Sequence, residues 1–383
     1  MKILLVSTQD YIHHPIPSRH HYIFEELARH HEVHVAHFHV SRGETRSTRL
    51  IVEEATQFPF TNPLLHYTCN TPYHFHIFKK IIRDNGIEVV VAAHVLAGTA
   101  VIHAAKKYQV PVVFDLKDWF PDSAAAYFKT SLVQEAIRRS VWEITRRNLT
   151  HSNKITTVSP SLVEKLKGHG FSADLITNGV DTDIFKPMDG SEKRKELGLH
   201  ADDFIIGFCG SIERWYAIDE MIKALPELIR YHPSTKMLVV GGSLFTNYDA
   251  ELKKLVEDLK VSNHVFFIGT KPYHELPQYI ACMDVCTIPL SPPQWGDIAL
   301  PNKFFEYSAC GKPILMRPIP DVTRMGGPNL SVYRTQEEYI TEIKSVIDNP
   351  VTFSINLEEY SWKEKAQNLI PLVLPKEKSL KIL

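Results

Sequence analysis

The stretch "LPNKFFEYSACGKPIL", residues 300–315, decides how this chain is read. Pro301 opens a helical run, Gly311-Lys312-Pro313 closes it, and an apolar strand follows at once. A helix that returns so directly to strand has its start at the mouth of a sheet. With Pro301 at the first helical position, the amides of Asn302, Lys303 and Phe304 lack intrahelical partners and the helix dipole favours an anion. Lys303 adds a full positive charge. Glu306 lies one turn on, on the same face as Asn302 and Lys303. A carboxylate there can accept two hydrogen bonds from a vicinal diol such as ribose. Cation and helix start for phosphate, acid for ribose: a nucleoside diphosphate asks for that combination. A solvated Lys303–Glu306 pair is the competing reading, and the immediate strand weighs against it.

Outward from this stretch, strand and helix patterns alternate along the chain, which predicts an α/β protein with parallel sheets. In the first half, "KILLVS" (2–7), "EVHVAHFHV" (32–40), "IEVVVAAH" (87–94), "VPVVFD" (110–115) and "KITTVS" (154–159) read as strands, with "RHHYIFEELARH" (19–30) as a helix. The second half repeats the scheme with "FIIGFCGS" (204–211), "KMLVVGG" (236–242), "HVFFIG" (264–269), "DVCTIPL" (284–290) and "KPILMR" (312–317). The fold expected is two doubly wound Rossmann-like domains facing across a cleft, with ligands at the carboxyl ends of the strands. The boundaries read are 1–187, 188–355, and a terminal helix in 356–383 that packs back toward the first domain.

At 383 residues the chain suits two domains. Its net charge of −1 argues against nucleic acid as main partner. Sixteen of the twenty histidines precede residue 187, so the halves differ in chemistry. The five cysteines, Cys69, Cys209, Cys282, Cys286 and Cys310, are scattered and suit free thiols in a reducing, cytoplasmic setting. "MKILLVSTQD" is too short an apolar run for a signal peptide and reads as a first strand. No stretch approaches the ~20 apolar residues of a membrane span.

Taken together, these segments resemble the retaining glycosyltransferases of the GT-B fold, in family 4 (glycosyl transferases group 1). "PNKFFEYSACGKPIL" is similar to that family's donor-binding helix, and in Pro-x-Lys-x-x-Glu-Tyr it resembles one sub-branch. "ITTVSPSLVEKL" and "ITNGVDTDIFKP" resemble the segments that close the first domain. "FCGSIERWYAID" resembles the first strand and phosphate loop of the donor domain. "VFFIGTKPYHELPQYIACMDVCTIPL" resembles the base-binding strand with the helix and strand after it, and "SWKEKAQNL" the C-terminal helix. The resemblance implies transfer of a sugar from a nucleotide-sugar to a glycan or lipid-linked acceptor, with retention of anomeric configuration and without a metal or other cofactor. It implies a donor set of Gly210, Ser211, Arg214, Gly269, Thr270, Lys303 and Glu306. "FDLKDWFPDS" (114–123) resembles the family's segment around a cleft acid. This makes Asp118, Lys117 and Glu306 the catalytic candidates, and Arg19, His94 and Asp118 the acceptor-side candidates.

There are departures. The family pairs two acids with seven residues between them; Glu306 is the second, but Ile298 stands at the first, with Asp297 one residue off. The phosphate loop has Ser211 and Tyr216 where the family has Arg and Lys, which leaves Arg214 as the nearest cation. Two rivals follow: a nucleotide-sugar epimerase or hydrolase on the same fold, and a degenerate, non-catalytic nucleotide-sugar-binding protein.

Four further signals are read as structural or surface features. Of the histidines of "HEVHVAHFHV" (31–40), His31, His34, His37 and His39, alternation on a strand puts His37 and His39 on one face and His34 on the other, so they do not converge on a metal. "DTD" at 181–183 reads as turn chemistry. "GGS" at 241–243 lacks the rest of a dinucleotide fingerprint. "RRSVWEITRR" (138–147) reads as a solvated basic face, or else as a peripheral contact with an anionic membrane on its inner side.

Overall fold

The computed structural model describes residues 1–373 except 15–16, 42, 127, 129, 244–245, 291–297 and 299, and excludes the side chain of Leu64. The chain divides into two compact units, 1–178 with 362–383, and 179–361.

The first unit opens with β1 (Lys2–Val6), α1 (Arg19–Leu27), β2 (Glu32–His37) and β3 (Ile51–Glu54). It continues with α2 (Pro63–Asn85), β4 (Val89–Ala92), α3 (Val95–Lys107) and β5 (Val112–Leu116). The remainder is α4 (Phe120–Ala125), α5 (Ser131–His151), β6 (Lys154–Thr157), α6 (Pro160–Gly168) and β7 (Asp174–Leu175). The strands form one sheet in the order β3-β2-β1-β4-β5-β6-β7, parallel at every pairing. β1 and β4 are apolar and buried because helices cover both faces of such a sheet. The order reverses at β1, so the β1–α1 loop and the end of β4 lie at the switch point where ligands bind in such sheets.

The second unit comprises α7 (Ser191–Glu196), β8 (Phe204–Cys209), α8 (Ile218–Tyr231), β9 (Thr235–Val240) and α9 (Tyr248–Asp258). Then come β10 (Val265–Gly269), α10 (Leu276–Ala281), β11 (Val285–Ile288) and α11 (Asn302–Ala309). It ends with β12 (Ile314–Met316), α12 (Pro320–Met325), β13 (Leu330–Val332) and α13 (Gln336–Asp348). Its sheet is parallel with order β10-β9-β8-β11-β12-β13. β8 is buried along its whole length and sits at the reversal. The α8 face that meets the sheet carries Met221, Ile222, Leu225 and Leu228, spaced at helical period and fully buried.

The division falls at 178/179 rather than after 187. Val180 and Phe185 belong to the second unit's core, and the Val180 amide donates to the Tyr360 carbonyl at 2.9 Å. The other boundary falls at 361/362. The terminal helix, α14 (Trp362–Val373), belongs to the first unit, where Trp362 stacks on Tyr22 at 5.0 Å and Ala366, Leu369 and Val373 join the core with Ile23 and Leu27. The short edge strands β3, β7 and β13 were not expected from the sequence; β3 and β7 are mostly exposed, so they lack the apolar run that marks a central strand. Among the described residues no helix is long and apolar enough to cross a membrane.

Candidate functional site

In the second unit the sheet ends in bare backbone. Gly210 follows β8, Gly241 follows β9, and Gly269 ends β10. They lie side by side: the Gly210 amide donates to the Val240 carbonyl (2.8 Å) and the Gly241 amide to the Gly269 carbonyl (2.9 Å). The Ile212 amide reaches the Gly242 carbonyl at 3.0 Å, so the segment holding Ser211 lies against the β9 exit. Gly210 and Gly241 have φ of +146° and +139°, which side chains rarely adopt. A Cβ on Gly241 would also overlap the Gly210 carbonyl, and one on Gly210 would strike the end of the Lys303 side chain. Gly269 and Thr270 are exposed.

α11 brings Lys303 to this edge. Its Nζ donates to the Tyr216 hydroxyl at 2.9 Å and lies 4.4 Å and 5.4 Å from the Tyr216 and Phe208 ring centroids. The faces of the rings attract the cation without neutralising it. Tyr307 fixes the helix against the strand: its buried hydroxyl accepts the Cys209 amide (2.8 Å) and faces the Cys209 carbonyl (3.3 Å). Pro301 is the N-cap rather than the first helical residue, and the Phe304 amide turns back to the Pro301 carbonyl at 3.2 Å. The amides of Asn302 and Lys303 therefore remain as the anion-facing pair, not the three expected. The Asn302 Oδ1 is buried without a hydrogen-bond partner, a polar atom suited to a ligand.

Glu306 is buried, 7 % exposed. Burial pushes its carboxyl above the ordinary range, with the Lys303 charge and the Tyr273 hydroxyl opposing. Arg214 pairs with Glu251 on the surface and lies over the Tyr248 ring. Ile298 occupies the place of the family's first acid, and Asp297 lies outside the described residues.

In the first unit the candidates separate into fold and surface. Arg19, expected to face acceptor, is 5 % exposed. Its Nη1 donates to both Asp115 carboxylate oxygens (2.7 and 2.5 Å) and its Nη2 to the Ile176 carbonyl (2.6 Å). Asp115 also accepts from Thr156 (2.8 Å) and bonds His20 Nε2 (2.8 Å), whose Nδ1 meets Ser7 Oγ at 3.0 Å. Burial alone would raise the Asp115 carboxyl, but the Arg19 charge and the His20 bond hold it below the usual carboxylate range. Arg19 is thus a core tie; nothing in its sequence context announced the partner Asp115, 96 residues on.

His94 is the N-cap of α3, its Nδ1 accepting the Ala97 amide at 3.2 Å. Burial first, then the charges of His74, His66 and Lys117, lower its pKa to about 3. A neutral ring with Nδ1 as acceptor carries its proton on Nε2, which makes that nitrogen a donor. Lys117 and Asp118 follow β5. Asp118 is accessible yet crowded, and desolvation pushes its carboxyl up against the pull of Lys117 and Arg19. The Lys117 amine is lowered by burial, opposed by Asp118 and Asp115.

The remaining signals resolve locally. Asp181 Oδ1 accepts the amides of Asp183 (3.1 Å) and Ile184 (3.3 Å), a side-chain-capped turn. The arginines of α5 sit in surface pairs: Arg138 with Asp122 and Glu135, Arg139 with Glu135, and Arg146 and Arg147 with Glu143. Trp142 packs on Trp119 and His169 instead of standing out as a membrane anchor. Tyr216 and the Gly241-Gly242 pair are the site features that the sequence reading did not place in the donor set. The available signal was a glycine pair directly after a buried strand.

Residues 20–184 match the family model described as Glycosyltransferase Family 4, and residues 189–368 the one described as Glycosyl transferases group 1. Among curated proteins, the D-inositol 3-phosphate glycosyltransferase of Mycobacteroides abscessus is 26% identical over 208 residues, 51% of this chain and 45% of that protein. The one of Frankia alni is 32% identical over 148 residues, 37% and 35% of the two chains. The chain thus spans about half or less of the length of these relatives. Among solved structures, sucrose-phosphate synthase from Thermosynechococcus elongatus superposes with a TM-score of 0.78 at 18% identity, covering 97% of this chain and 98% of that one. Anabaena HepE in complex with UDP and glucose gives 0.74 at 18% identity, covering 97% and 99%. Two glycosyltransferase family models thus match the chain in tandem, and each unit is built on a Rossmann-like parallel sheet as in GT-B structures.

Proposed function

We propose that this protein transfers a sugar from a nucleoside-diphosphate-sugar to a hydroxyl acceptor, with retention at the anomeric carbon and without a metal. The observation that carries this reading is the glycine edge of Gly210, Gly241 and Gly269 beside the Lys303 ammonium. Bare backbone lets a diphosphate approach the amides, and a cation held by aromatic faces meets its charge. Glu306 takes the ribose diol. Two hydroxyl donors would favour its ionised form, against the upward push of burial. Gly269 and Thr270 line the base side.

In this reading the acceptor oxygen forms its bond to the anomeric carbon as the bond from that carbon to the diphosphate breaks. The acceptor proton passes to the departing phosphate oxygen. Lys303 and the Asn302 and Lys303 amides stabilise the charge that develops there. Asp118, Lys117 and the His94 Nε2–H belong to the acceptor side. The Pro-x-Lys-x-x-Glu-Tyr pattern around α11 resembles that of a sub-branch of the family.

The first nucleotide to test is UDP, since the HepE structures hold UDP with glucose and UDP-glucose. The first acceptors to test are phosphorylated polyols, given the names of the curated relatives, then glycans and lipid-linked sugars. Calorimetric titration with UDP, GDP and ADP, with and without magnesium, on wild type and Glu306→Ala, tests the site. Selective binding by one nucleotide, indifferent to magnesium and weakened in the variant, is expected. No binding by any of them would favour a non-catalytic protein. Free sugar or an epimer released without acceptor would favour the epimerase or hydrolase reading, which a structural likeness to a UDP-N-acetylglucosamine 2-epimerase from Listeria monocytogenes (TM-score 0.58, 11% identity) keeps in view.

A further inference from the structure

The loop after β1 and the end of β2 bring together a group of side chains that the glycosyl-transfer reading does not use. His13, His37 and His39 offer ligand atoms that all lie within 4.8 Å of one another. His37 Nε2 is 3.2 Å from His13 Nδ1 and 3.4 Å from Asp10 Oδ1, and His13 Nδ1 is 3.6 Å from Asp10 Oδ2. Tetrahedral zinc with bonds of about 2.0–2.1 Å needs its ligand atoms about 3.3–3.4 Å apart. Three of these separations stand near that spacing.

The outer atoms of the rings are engaged as a metal site requires. Glu54 Oε2 lies 3.7 Å from His37 Nδ1 and 2.8 Å from His39 Nε2. Thr45 Oγ1 lies 3.3 Å from His13 Nε2. His39 and His13 thus each have one nitrogen hydrogen-bonded from outside, and His37 Nδ1 faces the Glu54 carboxylate, which leaves the other nitrogen of each ring for the centre. Asp10 is buried and rigid: its Oδ1 accepts the amides of Ile12 (3.1 Å) and His13 (3.0 Å), and its Oδ2 that of Ser41 (3.1 Å). The remaining strand histidine, His34, is spent on Glu32 and Glu53.

We propose that His13, His37 and His39, with the Asp10 carboxylate beside the first two rings and Glu54 behind the last two, form a zinc site that pins the β1–α1 loop to the segment that ends β2. Nitrogen-rich, four-coordinate donors select zinc over magnesium or calcium. The site holds the loop against the strand. It lies within the first unit and stands or falls separately from the nucleotide site of the second. The strand alternation of His37 and His39 alone did not reveal it, because the third imidazole comes from a loop 24 residues earlier.

The test uses the whole chain, stripped with a chelator and titrated with zinc against a chromophoric competitor. One equivalent bound below micromolar Kd, a rise in Tm on zinc addition, and the strong visible absorption of four-coordinate cobalt on substitution are expected. Glu54→Gln should weaken zinc by about 10–100-fold, and His13→Ala or His37→Ala by more. The exposed His39→Ala serves if a buried variant fails to fold, and His76→Ala on α2 should change nothing. Absence of stoichiometric binding, octahedral cobalt spectra, or zinc affinity that survives His13→Ala and His39→Ala would each overturn the site.

Discussion

Arg19 and Lys303 entered as the same kind of residue, a cation at the start of a helix after a parallel strand, and the structure gives them opposite employment. Arg19 opens α1 and is locked to the Asp115 carboxylate and the Ile176 carbonyl inside the first unit. Lys303 sits in the first turn of α11 with its ammonium against the Tyr216 hydroxyl and two ring faces; among the described residues it forms no salt bridge. A cation whose charge is already met holds the fold. One left unmet by carboxylate, beside bare glycine backbone, is disposed to bind an anion. The difference lies in the partners, not in the position along the helix.

The largest effect should come from breaking the met charge. Arg19→Ala leaves the Asp115 carboxylate buried with its main countercharge gone. A loss of about 3–5 kcal/mol in urea unfolding is expected. Arg19→Lys should recover little, since one ammonium cannot span Asp115 and Ile176 as the guanidinium does. Nucleotide affinity of the protein that remains folded should be unchanged. A stable Arg19→Ala protein with weakened nucleotide binding would put Arg19 in the same class as Lys303.

Lys303→Ala tests the other side. Affinity for a nucleoside diphosphate should fall about a hundredfold, roughly 2.7 kcal/mol, with stability changed by less than about 1 kcal/mol. Titration calorimetry and urea midpoints on the same preparation decide it. A variant that unfolds early while its nucleotide affinity persists would make Lys303 a packing residue.

Tyr307→Phe should have a smaller effect on stability than Arg19→Ala and a smaller effect on affinity than Lys303→Ala. It removes the hydroxyl that accepts the buried Cys209 amide and so costs about 1–3 kcal/mol of stability. It leaves every ligand-facing group in place, so nucleotide affinity should drop by less than in Lys303→Ala. A full loss of binding in Tyr307→Phe would mean that the position of α11, rather than the charge of Lys303, governs the site.

The contrast also shows what could be read before the structure was known. The central strands were legible because parallel strands buried on both faces appear as unbroken apolar runs, as in "FIIGFC". Lys303 and Glu306 were legible because a helix start and a one-turn spacing are local. The partner of Arg19 was not, since Asp115 arrives from another strand. Nor was the placement of Arg214, which a residue on a neighbouring helix, Glu251, draws to the surface. Edge strands such as β3 carry no apolar signature of their own, and only their neighbour defines them. The histidine cluster needed a loop and a strand to meet, which spacing along the chain does not disclose.

His94 stands between the two cations and gives the finest test, because it caps α3 with one nitrogen and keeps a donor on the other. Its folded pKa is lowered to about 3, mainly by burial, from the ordinary value of 6.5. Between those values the unfolded chain binds a proton that the folded chain refuses, so stability falls as pH drops from about 6.5 toward 3. His21 and His74, lowered to about 3 and about 4, add to the same slope. His94→Asn keeps a good cap acceptor and removes one titrating group. The variant should lose less stability between pH 6 and pH 4 than wild type, by at most about 1.4 kcal/mol per pH unit. If its pH profile matches that of wild type, the proton reaches His94 in the folded state and the ring is not held neutral. If the slope softens while acceptor KM rises at neutral pH, His94 serves both employments at once, a fold cap through Nδ1 and a ligand donor through Nε2.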